Sequence, residues 1–197
     1  MGRDVLAVEP FQDNILRIHK AISLENLQDR IVLLKNAISN KRNQIKLLEK
    51  VDQNIGGQSL IHNKVDQYYE RSEMNKNKYL VETILFDDII DFIPMRIKHN
   101  KTRYEKAILK IDIEGFEPYA FQYSKRLFNL YDVRLIFMEW GNLIQHENLK
   151  DFVREMLNFL YSHNMKAFGN DDYGSKKSLD RNEYMKWPWD IYWEKID

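Results

Sequence analysis

The chain has 197 residues, 44% hydrophobic and 13% aromatic, which predicts one well-buried α/β domain spanning residues 1–197. Thirty lysines and arginines balance thirty aspartates and glutamates, so the charge gives no basis for nucleic-acid binding. The absence of cysteine excludes disulfides, thiolate catalysis and cysteine-ligated zinc. No apolar run approaches the roughly 18 residues of a membrane span, so we expect a soluble protein, with the cytoplasm favoured.

The chain begins with a predicted strand and helix. An apolar run at 5–8, stopped by Glu9 and Pro10, predicts the strand. A helix follows, because apolar residues recur at helical spacing, and either Asp13 or Asn14 is expected to cap it. The predicted buried stripe of this helix consists of Phe11, Ile15, Ile18 and Ile22.

A second apolar run at 31–34 predicts another buried strand, which continues into Asn36 and Ala37. Turn-forming residues then predict that 44–49 returns as a hairpin. The region 63–80 is polar and carries several tyrosines. Such a composition is typical of a surface loop or an insertion.

Two strands in the second half of the chain end in acids. Residues 107–111 form the short apolar run expected of a buried parallel strand, and Gly115 marks its change into a turn. A second buried strand at 133–140 ends near Glu139. Ligands of open α/β sheets bind outside the carboxyl ends of the strands, although such acids also cap helices and solvate turns. The acids that follow the first of these strands are Asp112, Glu114 and Glu117.

The remaining predicted helices and strands complete the expected sheet. Apolar spacing indicates a helix from about 119 to 130 and, most clearly, one at 148–163 that packs on the sheet. Two late strands are predicted at 166–168 and 190–193. This order predicts a doubly wound, mostly parallel, Rossmann-like sheet with an antiparallel hairpin at its C-terminal edge. The loop between the late strands carries the aromatic residues Tyr173, Trp187 and Trp189, which fit core packing or dimer burial.

Six short segments then occur in an order and at intervals that are typical of one family. They are Val8-Glu9-Pro10 with Asn14, Asn36-Ala37-Ile38, Asn54-Ile55-Gly56-Gly57, Thr83 with Asp87-Asp88, Lys110-Ile111-Asp112-Ile113-Glu114-Gly115-Phe116-Glu117, and Met138-Glu139. Together they resemble the FkbM-type S-adenosylmethionine-dependent methyltransferases, whose fold is that of class I methyltransferases. The resemblance covers most of the chain, and the fifth segment is its most diagnostic part.

The resemblance implies a cofactor site in the N-terminal half. It implies that Glu9 accepts hydrogen bonds from the two ribose hydroxyls of S-adenosylmethionine, which one carboxylate can do. Asn14 belongs to the same family segment and is predicted to lie at the cofactor. Asn36 and Ala37 are predicted near the adenine ring.

The resemblance also implies a methyl-transfer crevice near Asp112, Glu114 and Glu117, with a small-molecule, sugar or lipid-like hydroxyl as the acceptor. One of these acids could be a general base with a raised pKa. The same carboxylates, with Glu139, could instead hold a divalent cation that lowers the acceptor's pKa. The residues leave both mechanisms open. Strand alternation would place Asp112 and Glu114 on one face if the strand persists that far.

The sequence departs from the family pattern at its start. A complete member has, before the strand at 5–8, a strand that ends in an acidic, glycine-rich turn, followed by a helix. We therefore expect a domain that lacks its first β-α unit. The missing strand would lie centrally in the sheet, between the strands at 5–8 and 107–111. This departure motivates an alternative function, a non-catalytic interaction module that has lost cofactor binding. A third hypothesis is a carboxylate-metal hydrolase that uses Asp112, Glu114 and Glu139.

Overall fold

The computed structural model describes residues 3–51, 57–60, 69–93, 106–145, 147–170 and 174–197. The chain divides into two compact units, Met1–Pro94 and Met95–Asp197. Three parts of the predictions lie outside the described residues: the segment 54–56, residues 63–68 of the polar region, and Tyr173.

Among its described residues, the first unit contains one α-helix and five strands, in two sheets. Its elements are β1 (Val5–Val8), α1 (Gln12–Leu24), β2 (Ile31–Leu34), β3 (Ala37–Ile38), β4 (Ile45–Leu47) and β5 (Leu80–Ile84), with 3-10 helices at Arg71–Glu73 and Phe86–Phe92. Strands β1 and β2 pair in parallel, with Val8 opposite Leu34. Because α1 connects them, they form a β-α-β unit whose two carboxyl ends lie at the same edge.

Helix α1 confirms part of the predicted buried stripe but not the predicted cap. Phe11, just before the helix, and Ile22 are buried, whereas Ile15 and Ile18 are only half-buried. The cap position is Phe11, without a side-chain cap bond, and Asp13 lies in the first turn. The expectation that Asp13 or Asn14 caps the helix is therefore wrong. An acid in the first turn still faces the positive end of the helix dipole.

The second sheet of this unit corrects the predicted hairpin. The strand order is β3-β5-β4, in which β5 pairs in parallel with β3 and antiparallel with β4. Residues 44–49 therefore contain a strand, as predicted, but this strand does not return against the one before it. Its partner arrives more than thirty residues later, at Leu80, and local turn chemistry cannot specify so distant a pairing.

The second unit contains one mixed sheet and four helices among its described residues. Its elements are β6 (Lys106–Ile111), α2 (Glu117–Phe121), α3 (Lys125–Leu130), β7 (Asp132–Glu139), α4 (Gly141–Ile144), α5 (Lys150–Ser162), β8 (Met165–Asn170), β9 (Lys176–Ser178) and β10 (Asp190–Lys195), with 3-10 helices at Glu147–Leu149 and Arg181–Lys186. The strand order is β6-β7-β10-β8-β9. Strands β6 and β7 are parallel, and β10 is antiparallel to both β7 and β8. The late strands thus pair as predicted, but β10 is inserted inside the sheet and does not form an edge.

One face of this sheet is buried, and the other is exposed at β6 and β7. Ile136 and Trp193, paired across β7 and β10, are fully buried, and α5 packs against β8 and α2. On the opposite face Ile108 is 67% exposed and Phe137 is 45% exposed. The prediction that 107–111 is a buried strand is therefore wrong for most of its length, since Ile111 is its one buried residue.

The predicted helix at 119–130 is two short helices. Ser124 separates α2 from α3, and its buried hydroxyl donates a hydrogen bond to the carbonyl of Phe121 at 2.9 Å. Serine readily offers such local side-chain bonds in place of continued helix. The chain is thus a mixed α/β protein with parallel and mixed sheets. Among the described helices, none has the length and apolar character that crossing a bilayer requires.

Candidate functional site

The turn after β6 sets the position of the predicted catalytic acids. The strand ends at Ile111, and Glu114 and Gly115 then adopt positive φ angles of 55° and 92°. The amide of Phe116 closes the turn on the carbonyl of Ile113 at 3.3 Å. The strand does not persist to Glu114, so this turn, and not strand alternation, determines where the Glu114 side chain lies.

This turn and the end of β7 form an acid cluster of Asp112, Glu114 and Glu139, whose carboxylates each offer an oxygen within 4.8 Å of the others. The side-chain amide of Asn142 joins two of them, donating to Glu114 at 2.8 Å and to Glu139 at 2.7 Å. The sequence prediction missed Asn142. The feature that could have indicated it is its position in a short helix, three residues after Glu139 at the end of a strand.

Two further side chains contact the acid cluster. The indole N–H of Trp189 donates to Glu139 at 2.5 Å, and Lys110 pairs with Asp112 at 2.9 Å. Core packing is confirmed for Trp187, which is 5% exposed, whereas Trp189 is about half exposed and binds the acid cluster. Because Trp189 is 50 residues away from Glu139 in the chain, no local pattern could reveal this contact.

The acid cluster changes the electrostatics of Glu114. Partial burial raises its pKa, and the nearby carboxylates of Glu139 and Asp112 raise it further, against a smaller opposing effect of the Asn142 hydrogen bond. A carboxylate with a raised pKa is a better proton acceptor than an ordinary one. The surroundings of Glu114 therefore suit a group that exchanges a proton.

Glu117, predicted with Asp112 and Glu114 as a third acid of the crevice, lies in a different environment. Its side chain is fully buried at the start of α2, and one carboxyl oxygen accepts the backbone N–H of Ile113 at 2.9 Å. Within the described part of the chain, its other oxygen has no hydrogen-bond partner. Burial raises the pKa of Glu117 to about 8, because a buried charge without full compensation is unfavourable.

In the first unit, Glu9 lies at the carboxyl end of β1. Its backbone N–H donates to the carbonyl of Leu34 at the end of β2, at 3.0 Å. Its carboxylate accepts the amide of Phe11 at 2.8 Å, and its pKa is raised by burial, with opposing hydrogen bonds from Phe11 and Asn14. The structure thus brings Glu9 and Asn14 together where the parallel pair ends.

The other two predicted cofactor residues follow β2. Asn36 donates from its side-chain amide to the carbonyl of Glu82 at 3.2 Å, and Ala37 is buried as the first residue of β3, opposite Thr83. Both residues lie shortly after Leu34, whose carbonyl binds the Glu9 amide. The chain therefore runs from the end of β2, which is bonded to Glu9, directly into Asn36 and Ala37.

Both units contain a parallel strand pair whose carboxyl ends carry acidic side chains, an arrangement typical of α/β proteins that bind ligands at strand ends. The family model for the methyltransferase FkbM domain matches residues 1–170. The chain therefore belongs to this family, and this membership indicates a methyltransferase. No curated protein and no solved structure matches the chain significantly.

Proposed function

We propose that this protein is an O-methyltransferase that uses S-adenosylmethionine and acts on a hydroxyl of a small molecule, sugar or lipid-like acceptor. The observation that carries the proposal is the placement of Glu9 and of the acid cluster at the carboxyl ends of parallel strands. Family membership supplies the reaction class.

The residues at the end of β1 fit the ribose of the cofactor. Each oxygen of a carboxylate offers two lone-pair sites, so Glu9 keeps acceptor capacity for two hydroxyls after it has accepted the Phe11 amide. Asn14 adds a polar group beside it, and Asn36 and Ala37 would flank the adenine. When bound, S-adenosylmethionine supplies an electrophilic methyl group.

The acid cluster would prepare the acceptor. Glu114, whose pKa is raised by burial and by its acidic neighbours, would accept the proton that the acceptor hydroxyl loses. Asn142 holds Glu114 and Glu139 at a fixed separation, and fixed positioning is a large part of catalysis in such transfers. A transfer assay in EDTA and in magnesium separates this general-base role from the alternative in which the carboxylates share a cation.

Calorimetry with S-adenosylmethionine tests the cofactor site. Because hydrogen bonds to a charged group contribute about 1.5–3 kcal/mol, we expect Glu9→Gln to weaken binding by about tenfold to hundredfold. Glu25→Gln, an exposed change at the end of α1, is the matched control and should leave the affinity unchanged.

The measurement is made on this chain and on any longer in-frame product, because the family resemblance places a glycine-rich turn before the strand at 5–8. Saturable heat that depends on Glu9 supports the proposal. If neither chain gives heat with S-adenosylmethionine, the proposal fails and the alternative of an interaction module without cofactor gains support.

A further inference from the structure

The turn between β6 and α2 has an unusual backbone for its sequence. Two consecutive residues, Glu114 and Gly115, adopt the left-handed region, with φ of 55° and 92°. Glycine reaches this region without a steric penalty, but a glutamate adopts it rarely and at a cost. Since such a conformation persists only where its surroundings determine it, some contact must hold Glu114 in place.

The side chain of Glu117 makes that contact. Its carboxyl oxygen accepts the N–H of Ile113 at 2.9 Å, directly before Glu114. The turn is closed a second time by the amide of Phe116 on the carbonyl of Ile113. Pro118, in the first turn of α2, restricts the backbone from which the Glu117 side chain starts. The carboxyl therefore spans the turn from a fixed point on the helix.

The shape of this turn determines a contact of the acid cluster. Glu114 reaches the side-chain amide of Asn142 at 2.8 Å, and the same nitrogen donates to Glu139 at 2.7 Å. Both hydrogens of this amide group are thus committed to carboxylates from different elements. A different backbone at Glu114 would carry its carboxylate away from Asn142 and separate the two acids.

Glu117 itself cannot reach an acceptor molecule, because its side chain has no exposed surface. We propose that Glu117 is a positioning residue, whose buried carboxyl holds the turn of 113–116 in the form that brings Glu114 to Asn142. The raised pKa of Glu117 is consistent with this role, since a neutral carboxyl accepts a backbone N–H without burying a charge. Glu117 was predicted to be one of the crevice acids, and this proposal gives it a supporting role there. The proposal rests on the proposed function only in treating Glu114 as a reacting group.

The test compares three variants by nuclear magnetic resonance of the full chain, read at the Asn142 side-chain amide. Glu117→Leu removes the acceptor for Ile113, while Glu117→Gln keeps a carbonyl oxygen there. Ser124→Ala is the matched control, because it also removes a buried hydrogen bond of this region, to Phe121, without touching the turn.

We expect Glu117→Leu to speed hydrogen exchange of the Asn142 amide by about tenfold or more, because the amide loses its hydrogen bond to the Glu114 carboxylate. Glu117→Gln should stay within about twofold of the wild type, and Ser124→Ala should leave the exchange rate unchanged. A folded Glu117→Leu variant that keeps the wild-type shift and exchange of Asn142 would overturn the assignment. This measurement needs neither cofactor nor acceptor, so its failure is distinguishable from failure of the methyltransferase proposal.

A wild-type titration keeps the test decisive if Glu117→Leu does not fold. Between about pH 6 and about pH 10, ionisation of Glu117 changes the bond to Ile113, and the amide of Ile113 should report a midpoint near the Glu117 pKa of about 8. An Ile113 amide without a midpoint in this range would contradict the contact on which the proposal rests, because the ionising carboxyl would then not be bound to that amide.

Discussion

The two strand-end sites of this protein use acids in different ways. At the end of β1 a single acid, Glu9, is half-buried and receives hydrogen bonds from the Phe11 amide and from Asn14. At the ends of β6 and β7, three carboxylates lie within 4.8 Å of one another and two of them share one amide, that of Asn142. The neighbours of Glu9 are neutral donors, whereas the neighbours of Glu114 are mainly other acids.

This difference indicates a division of roles. An acid among neutral donors keeps a defined orientation and can accept further hydroxyl groups, which suits binding. An acid crowded by other acids holds its proton to a higher pH, which suits proton transfer. Glu117 is a third case, because its burial in the turn removes it from any ligand and leaves it a role in positioning.

The largest expected effect concerns the pH dependence of stability and Glu117. Its pKa is raised from an ordinary value of 4.5 to about 8 in the folded protein, so the folded state keeps a proton that the unfolded chain releases. Its contribution to stability is fully present below about pH 4.5 and is lost as the pH rises through about 8. The free energy of unfolding should therefore fall as the pH rises across this window, by roughly 1 kcal/mol per pH unit at most.

Urea denaturation of the wild type and Glu117→Gln at several pH values measures this effect. We expect a flatter dependence in the variant, because a glutamine does not titrate. Glu9→Gln should flatten the curve less, since the Glu9 carboxyl is only partly buried and its pKa is raised in the same direction. Parallel curves for the wild type and Glu117→Gln would contradict the assigned environment of Glu117.

Removal of the shared amide should have an intermediate effect. Asn142→Leu leaves the Glu114 and Glu139 carboxylates facing each other without the donor that they share, so we expect a loss of about 1–2 kcal/mol in the free energy of unfolding at neutral pH. The loss should shrink at an acidic pH, because Glu114, whose pKa is raised, takes up a proton more readily than an ordinary glutamate. Denaturation of Asn170→Leu, which changes an exposed asparagine of the same sheet, provides the control. Equal losses at both pH values would argue against repulsion between the acids.

The smallest expected effect lies at Trp189. A Cβ atom at Gly141 would overlap the ring of Trp189, so Gly141→Ala should displace the ring and break its bond to Glu139. Because Trp189 is about half exposed, the ring can move into solvent, and the stability loss should stay below about 1 kcal/mol. The indole N–H resonance of Trp189 should lose its hydrogen-bonded shift. An unchanged resonance would show that the contact does not depend on the space left by Gly141.

Local sequence patterns predicted the helices and strands well, but they predicted poorly which strands pair with each other. The strands at 5–8 and 31–34 and the helix at 148–163 agree with β1, β2 and α5, because apolar periodicity within one element is sufficient to identify them. The hairpin at 44–49 and the edge position of the last strands were wrong, because both depend on pairing with strands far away in the sequence.

The candidate site shows the same limit. Asp112, Glu114 and Glu139 were recognised as acids at strand ends, and the structure brings them together. Asn142 and Trp189 were missed as their partners, since one depends on the direction of a short helix and the other on a contact across 50 residues. The left-handed turn at Glu114 was also not foreseen, because a glutamate carries no signal for this conformation.

The central claim is that Glu9 binds the cofactor and Glu114 accepts the proton. Transfer of labelled methyl from S-adenosylmethionine to a panel of hydroxyl compounds, with cofactor affinity measured in parallel, tests it on Glu114→Gln and Glu9→Gln. We expect Glu114→Gln to lower the transfer rate by about 10²–10⁴-fold with unchanged affinity, and Glu9→Gln to lower affinity with the rate largely restored at saturating cofactor. If Glu114→Gln transfers methyl at the wild-type rate, or if the two variants lose affinity equally, the account is contradicted.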